Sequence, residues 1–389
     1  MGPCHKKIGF LFDFALIYSY LCQQIVKRMK ERTFVLPAPV TGDFVSRLSA
    51  LEREVRHVLS GRDEERVTLV WCRAFLSDAA NQLPLLRASV LYADVLSRGA
   101  FSWVEQPPLD GSKITLILTV TTDSVTVSGT PDRCVVACGG VKRLYHSVRF
   151  TADEVAGLSS KEQTEEAFGR HIDWLKAEGL SLADNCVRTW LYVRDIDHNY
   201  HGVVEGRNAV FAREGLTKDT HFIASTGIGG QTDVPGAAVA VDFWSVDAPA
   251  LSQHYLQALE WLNPTHEYGV AFERGVRVST GDGGASLYIS GTASIDRHGR
   301  CIHQNDVPRQ ADRLFENISH LLADGGATLD DLVWMTVYLR DLSDCGVANE
   351  YLNGRFPNVP RIVVLAPVCR PQWLIEVETM ASVPATDEK

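Results

Sequence analysis

Two stretches about 146 residues apart read as copies of one structural unit. The first is EAFGRHIDWLKAEGLSLADNCVRTWLYVRD (Glu166–Asp195) and the second is ADRLFENISHLLADGGATLDDLVWMTVYLRD (Ala311–Asp341). Each opens with apolar residues at helical spacing: Phe168, Ile172 and Leu175 in one, Leu314, Ile318 and Leu321 in the other. A glycine, Gly179 or Gly325, follows and is expected to cap the helix in the left-handed region. A short S-L-A-D or T-L-D-D segment leads into a strand that ends V-R-D or L-R-D. Beyond it, Tyr200 with Gly206-Arg207 is answered by Tyr351 with Gly354-Arg355. Chance would have to reproduce helix, cap, strand and trailing Gly-Arg in one order, so the chain reads as a tandem repeat. Strand-like segments precede the helices: Thr115–Thr121 and Ser124–Ser128 in the first copy, Gly275–Ser279 and Ser286–Ser290 in the second. This order predicts an α+β fold of two tandem units, each a mixed sheet with helices packed on one face. The expected bounds are an N-terminal extension over 1–39, a first unit over 40–205 and a second over 206–389. A length of 389 residues suits two domains of ordinary size.

Composition narrows the function classes. A hydrophobic share of 45% with 22% charged residues describes a globular protein, and a net charge of −10 lacks the basic stripe of a nucleic-acid binder. Of nine cysteines only Cys134 and Cys138 stand close together, and no second pair or nearby histidine pair completes a zinc site. The cysteines therefore read as thiols of a reducing cytoplasm, and no metal or cofactor is expected. Thr226-Gly227-Ile228-Gly229-Gly230 lacks both the lysine of a phosphate loop and the full dinucleotide spacing, and no G-x-S-x-G elbow for a serine hydrolase occurs. The apolar run Gly9–Val26 lies between Lys6-Lys7 and Lys27-Arg28 and is barely long enough to span a bilayer. Asp13, Gln23 and Gln24 weaken it, no small-residue cleavage site follows, and Met29 offers a second start. The expectation is an overextended start or a loose helix, with a membrane anchor as the lesser reading and no stable membrane partner.

The candidate chemistry lies in arginines and acids near aromatic or glycine-rich segments. Arg188 shares a strand face with Trp190 and Tyr192, Arg207 lies in EGRNAVF, Arg274 in EYGVAFERG and Arg370 in VCRPQW. Singly, each reads as a surface or ion-paired residue; together they fit a pocket for carboxylates, which the guanidinium fork binds bidentately. In VVLAPVCRPQWLIEVE (Val363–Glu378), alternation puts Leu374, Glu376 and Glu378 on one strand face. If that face is solvent, both glutamates are ordinary surface residues. If it lines a pocket, Glu376 is an acid with a raised pKa and a proton donor. Cys369 on its own reads as an inert thiol.

Taken together, YISGTASID, the VPRQADRLFENISHLLADGGATLDDLVWMTVYLRD run and RPQWLIEVE resemble the Rid (YjgF-like) fold. The wider set VRTWLYVRDI, YHGVVEGRNAVF, ASTGIGG, EYGVAFERG, SGTASI and VCRPQWLIEVE resembles the chorismatase and 3-hydroxybenzoate synthase family, from about Val187 to Glu378. The resemblance implies two Rid-like units, the second carrying the catalytic acid, and cleavage of the dianion chorismate to pyruvate and a cyclic hydroxy acid. It implies that Glu376 protonates the enolpyruvyl methylene and that Arg188, Arg207, Arg274, Arg370 and Tyr268 hold the substrate. Cys369 matches a product-discriminating position, where cysteine resembles the 3-hydroxybenzoate branch, and Ala293 is a second selector. Hydrolysis to a dihydroxycyclohexadiene carboxylate or to 4-hydroxybenzoate is the alternative outcome. The chain departs from the family pattern in GVVEGRNAVF, in the short loop Asp296–Asp306 and in Glu273 beside Arg274. A Rid-type imine deaminase and a non-catalytic metabolite-binding protein are the rival readings. The sequence leaves the oligomeric state open.

Overall fold

The computed structural model describes residues 31–61, 67–281 and 284–384, so the apolar run Gly9–Val26 lies outside the described residues. The first sheet-forming unit comprises β1 (Glu31–Pro37), α1 (Phe44–Ser60), β2 (Thr68–Leu76), α2 (Ala79–Arg87), α3 (Val90–Asp94), β3 (Ala100–Glu105) and β4 (Ile114–Thr121). The second runs β5 (Thr126–Thr130), β6 (Arg133–Cys138), β7 (Val141–Val148), α4 (Ala152–Val155), α5 (Ser160–Ala177), α6 (Leu182–Asn185), β8 (Cys186–Val193), α7 (Ile196–Arg213), β9 (Ala224–Gly229) and β10 (Val239–Asp247). The third runs β11 (Ser252–Tyr255), β12 (Gly275–Ser279), β13 (Gly284–Ala293), α8 (Val307–Asp324), β14 (Leu332–Leu339), α9 (Cys345–Arg355), β15 (Arg361–Leu365) and β16 (Ile375–Pro384).

The repeat is real, and it extends further than the sequence suggests. The sheet orders are β1-β4-β2-β3, then β5-β6-β7-β10-β8-β9, then β11-β12-β13-β16-β14-β15. In each, a parallel pair (β2/β3, β8/β9, β14/β15) lies beside an antiparallel strand (β4, β10 or β16) that also pairs with β1, β7 or β13. The two tandem units expected are the second and third sheets, and residues 31–121 form a further unit of the same β-α-β-α-β-β path without the extra hairpin strands. Divergence hides it: where the later copies read WLYVRD and TVYLRD, this one reads CRAFLSD. The expected boundaries are corrected accordingly. Position 40 would exclude β1, which pairs along its whole length with β4, and a break at 205/206 would cut α7 and remove β9 and β10 from their sheet. Thr115–Thr121, expected to begin a unit, belongs to β4 and closes one.

The paired helices form for the reasons expected, with one adjustment. Phe168, Ile172 and Leu175 on α5, and Leu314, Ile318 and Leu321 on α8, are all buried against their sheets. Ser159 and Glu162 form a capping box at the start of α5, and Asp306 caps α8 through the Arg309 amide. Gly179 ends the first helix at φ 76°, but in the second the left-handed residue is Gly326 (φ 74°) rather than Gly325 (φ −86°).

The three units close into a ring through their parallel edges. Glu105 at the end of β3 bridges Gln231 of the second unit, the Gly229 amide after β9 donates to the Pro367 carbonyl of the third (2.8 Å), and Leu109 after β3 donates to Val363 on β15 (2.9 Å). Gly229 has no room for a side chain against Pro367, so the TGIGG glycines serve backbone approach between units rather than phosphate binding. The inner sheet faces meet in an aromatic core in which Trp71, Trp190, Trp244 and Trp334 pack together. Buried ion pairs run between units there: Arg73 with Asp242 (3.0 Å) and Arg188 with Glu378 (2.8 Å).

Candidate active site

A cleft opens on the seam between the second and third units. The second unit contributes Tyr200 and Arg207 from α7 and Ser225 and Gly227 from β9. The third contributes Phe272, Arg274, Ala293, Cys369, Arg370 and Glu376. Tyr200 and Arg207 share one helix face because they lie seven residues, two turns, apart. Ala293 and Glu376 share one sheet face because they are direct partners across β13 and β16.

Glu376 stands at the floor with 4% of its surface exposed. Burial is the main force that raises its pKa to about 8, and the charge of Glu378 pushes the same way, against Arg188 and Arg274. Room for this carboxyl comes from a bulge: the β13/β16 register shifts between Ile289 and Thr292, and a Cβ on Gly291 would overlap Oε1 of Glu376. Cys369 sits above, half-buried, and hydrogen-bonds Tyr200. Burial pushes its thiol up to about 12, and holds the Tyr200 hydroxyl well above its usual range, so both enter neutral chemistry as neutral groups. Arg207 and Arg274 flank the ring of Phe272 at 5.9 Å and 5.4 Å, and Arg370 lies over Trp373 at 5.6 Å. Three guanidinium groups thus surround one neutral acid, an electrostatic balance that favours an anionic ligand.

Two expectations change on the structure. Arg188 does not line the cleft; its guanidinium is buried behind the wall on Glu378 Oε2 (2.8 Å) and Thr226 Oγ1 (2.5 Å). Glu378, an ordinary surface residue if its strand face met solvent, is 1% exposed and accepts from Arg188, from the Trp190 indole N–H (2.8 Å) and from Thr226 (2.7 Å). Both reversals have one cause: the strand face that alternation assigns to the glutamates is covered by the second unit, which a single strand cannot report. Tyr268 closes the 3-10 turn Thr265–Tyr268, and its side chain lies outside the described residues. Glu273 does not line this cleft; its carboxylate accepts the Phe222 amide (2.8 Å) and borders the adjoining hollow. Sequence reasoning missed Tyr200, Thr226 and Gly291. The helical seven-residue spacing to Arg207 was a readable signal for the first; the other two depend on contacts across the seam.

A second, larger hollow adjoins the cleft, sharing Phe272 and Arg274 and bordered by Lys218, His221 and His266. Its acid, Glu273, has a pKa raised by burial but accepts the Phe222 amide, whereas Glu376 lines the smaller cleft among the arginines. Among the described residues no group of His, Cys, Asp or Glu is arranged to hold a metal ion, and no helix is long and apolar enough to cross a membrane.

Fold and site together define a class: Rid-type units in tandem, with an acid and arginines gathered at a seam between units. A solved chorismatase structure shares this fold, with a TM-score of 0.61 over 81% of this chain and 93% of that one at 17% identity. Residues 275–383 match the Endoribonuclease L-PSP family. Over 100 residues the chain is 35% identical to a RutC family protein of Pyrococcus abyssi, covering 79% of that protein and 25% of this chain. Over 99 residues it is 29% identical to the 3-aminoacrylate deaminase RutC of Acinetobacter baylyi, again covering 79% and 25%. Through its third unit, this chain belongs to the RutC family.

Proposed function

We propose that this protein cleaves chorismate to pyruvate and 3-hydroxybenzoate. The observation that carries the reading is Glu376, a buried carboxyl with a pKa near 8, enclosed with Arg207, Arg274 and Arg370 in one cleft. Chorismate has two carboxylates for the guanidinium groups and an enol ether whose methylene accepts a proton. Protonation by Glu376 leaves an oxocarbenium-like carbon that weakens the bond between the ether oxygen and the ring. Internal displacement by the neighbouring ring hydroxyl, which loses its proton, bridges that oxygen to the ether-bearing carbon and expels pyruvate. Breaking of the oxygen's original C–O bond, loss of a ring proton and protonation of the oxygen then give 3-hydroxybenzoate, and the atoms of the two products sum to those of chorismate. Tyr200 and Cys369, neutral and hydrogen-bonded to each other, form the wall that steers this step and excludes water.

Purified protein mixed with chorismate should release pyruvate, and chromatography of the ring product should show 3-hydroxybenzoate. Cys369→Ala should divert product toward the hydrolytic dihydrodiol, and pyruvate release without 3-hydroxybenzoate in the unaltered protein would reject the product assignment. The RutC relationship of the third unit supports a second reading, deamination of a small enamine or imine acid. Turnover of 2-aminoacrylate with no turnover of chorismate would select it. Chorismate binding by calorimetry without pyruvate would instead identify a non-catalytic receptor.

A further inference from the structure

We propose that Glu378 is a positioning residue for this reaction: its immobilised negative charge, clamped from the second unit, keeps the neighbouring Glu376 carboxyl loaded with the proton it donates. The inference rests on the proposed cleavage for its kinetic consequence, but the clamp itself is geometric.

Glu376 and Glu378 lie two residues apart on one face of β16, a face covered by the second unit. Glu378 is held from three side chains. Arg188 Nη2 donates to Oε2 at 2.8 Å, Trp190 Nε1 lies 2.9 and 2.8 Å from the two oxygens, and Thr226 Oγ1 donates to Oε2 at 2.7 Å. Thr226 can donate only once, and its remaining contacts are both received, from Arg188 (2.5 Å) and from the Gly291 amide (2.9 Å). The single hydroxyl proton therefore points at Glu378, and every group around it is a donor, the arrangement of an ionised carboxylate. Because the Gly291 amide belongs to the bulge that makes room for Glu376, the same threonine fixes the charge and the space for the acid.

A fixed anion at that distance disfavours a second one. At the roughly 6 to 7 Å spacing of alternate residues on a strand face, and an effective dielectric of about 20, the repulsion is worth about two pH units. The groups facing Glu376 are Glu378 on its own strand, Arg188 from β8, Arg274 ahead of β12, Arg207 and Tyr200 from α7, and Cys369 and Arg370 on the loop before β16. Cys369 and Tyr200 are neutral, so Glu378 is the one anion among these groups, and of the cations Arg188 and Arg274 are the ones that oppose it at Glu376. Glu378 outweighs each arginine in its effect on Glu376. Around Glu378 itself stand Arg73, Tyr192 and Tyr338, the two phenols also neutral.

The test uses the full chain with Glu378→Gln and with the paired neutral variant Arg188→Gln/Glu378→Gln, which leaves no unbalanced buried charge if the single variant fails to fold. In the single variant Arg188 attracts without opposition, so the alkaline limb of kcat/KM for chorismate should move down by about two pH units, and by a smaller amount in the pair. Infrared difference spectra against Glu376→Gln read the same proton without turnover: the protonated-carboxyl band of Glu376 should be present at pH 7 in the unaltered protein and reduced in both variants. An unmoved limb and an unchanged band in folded variants would overturn the role of Glu378. Absence of chorismate turnover in the unaltered protein would instead reject the cleavage reading, and the infrared titration would still decide whether Glu378 holds the proton on Glu376.

Discussion

Replacing Glu376 with Gln should abolish pyruvate release and, at alkaline pH, make the protein more stable. A carboxyl whose pKa rises from 4.5 to about 8 on folding carries its proton in the native state through a range where the unfolded chain has lost it. Between those values the native state binds more protons than the unfolded state, so stability falls as pH rises, by about 1.4 kcal/mol per unit and about 5 kcal/mol in all by pH 8. Below pH 4.5 both states are protonated and the difference vanishes. Glutamine keeps the shape and cannot ionise, so urea midpoints of the variant and the unaltered protein should coincide near pH 4.5 and separate by several kcal/mol at pH 9 in favour of the variant. The same shift predicts the activity profile. At pH 7 about nine in ten molecules carry the proton, against about one in three hundred for an unperturbed glutamate, and kcat/KM should decline tenfold per unit above pH 8. A stability difference that does not grow with pH, or a Glu376→Gln variant that still releases pyruvate, would refute the assignment of a buried, protonated acid to this position.

Gly291→Ala should lose chorismate cleavage while keeping its fold, because the new methyl group displaces the Glu376 carboxyl and crowds Thr226 Cγ2 (3.0 Å); a circular dichroism spectrum and pyruvate assay together check this. Asp242→Ala removes the partner that Arg73 (3.0 Å) and Arg149 (2.9 Å) share at the contact of the first two units. It should cost about 3–5 kcal/mol in urea titration, and a loss below 1 kcal/mol would show the pair to be dispensable. His146 and His171 face each other at 3.3 Å, and burial holds His146 down to about 4 and His171 well below 6.5. Folded neutral and unfolded charged, His146 alone should remove roughly 3 kcal/mol of stability as pH falls from 6.5 to 4, which His146→Gln should abolish in the same titration.

The sequence by itself determined the local elements and the inventory of reactive groups. Helical spacing, caps and strand alternation depend on residues within one or two turns of each other, so α5, α8, β8 and β14 were legible, and so was the shared face of Glu376 and Glu378. Cys369, Arg207, Arg274 and Arg370 stand out in the sequence by their aromatic and glycine-rich surroundings or by the family motif, and the cleft gathers them. The tertiary structure alone decided what covers that shared face. Whether a carboxyl on a strand meets water, a ligand or a guanidinium depends on a surface contributed from another unit, about 190 residues away for Arg188 and Glu378, and no periodicity carries that distance. For the same reason the first unit escaped notice: its path through space repeats the others, while the side chains that mark them have diverged. What sets the Glu376 carboxyl apart is therefore not the strand it lies on but the closing of one unit's sheet over the next, which strips it of water.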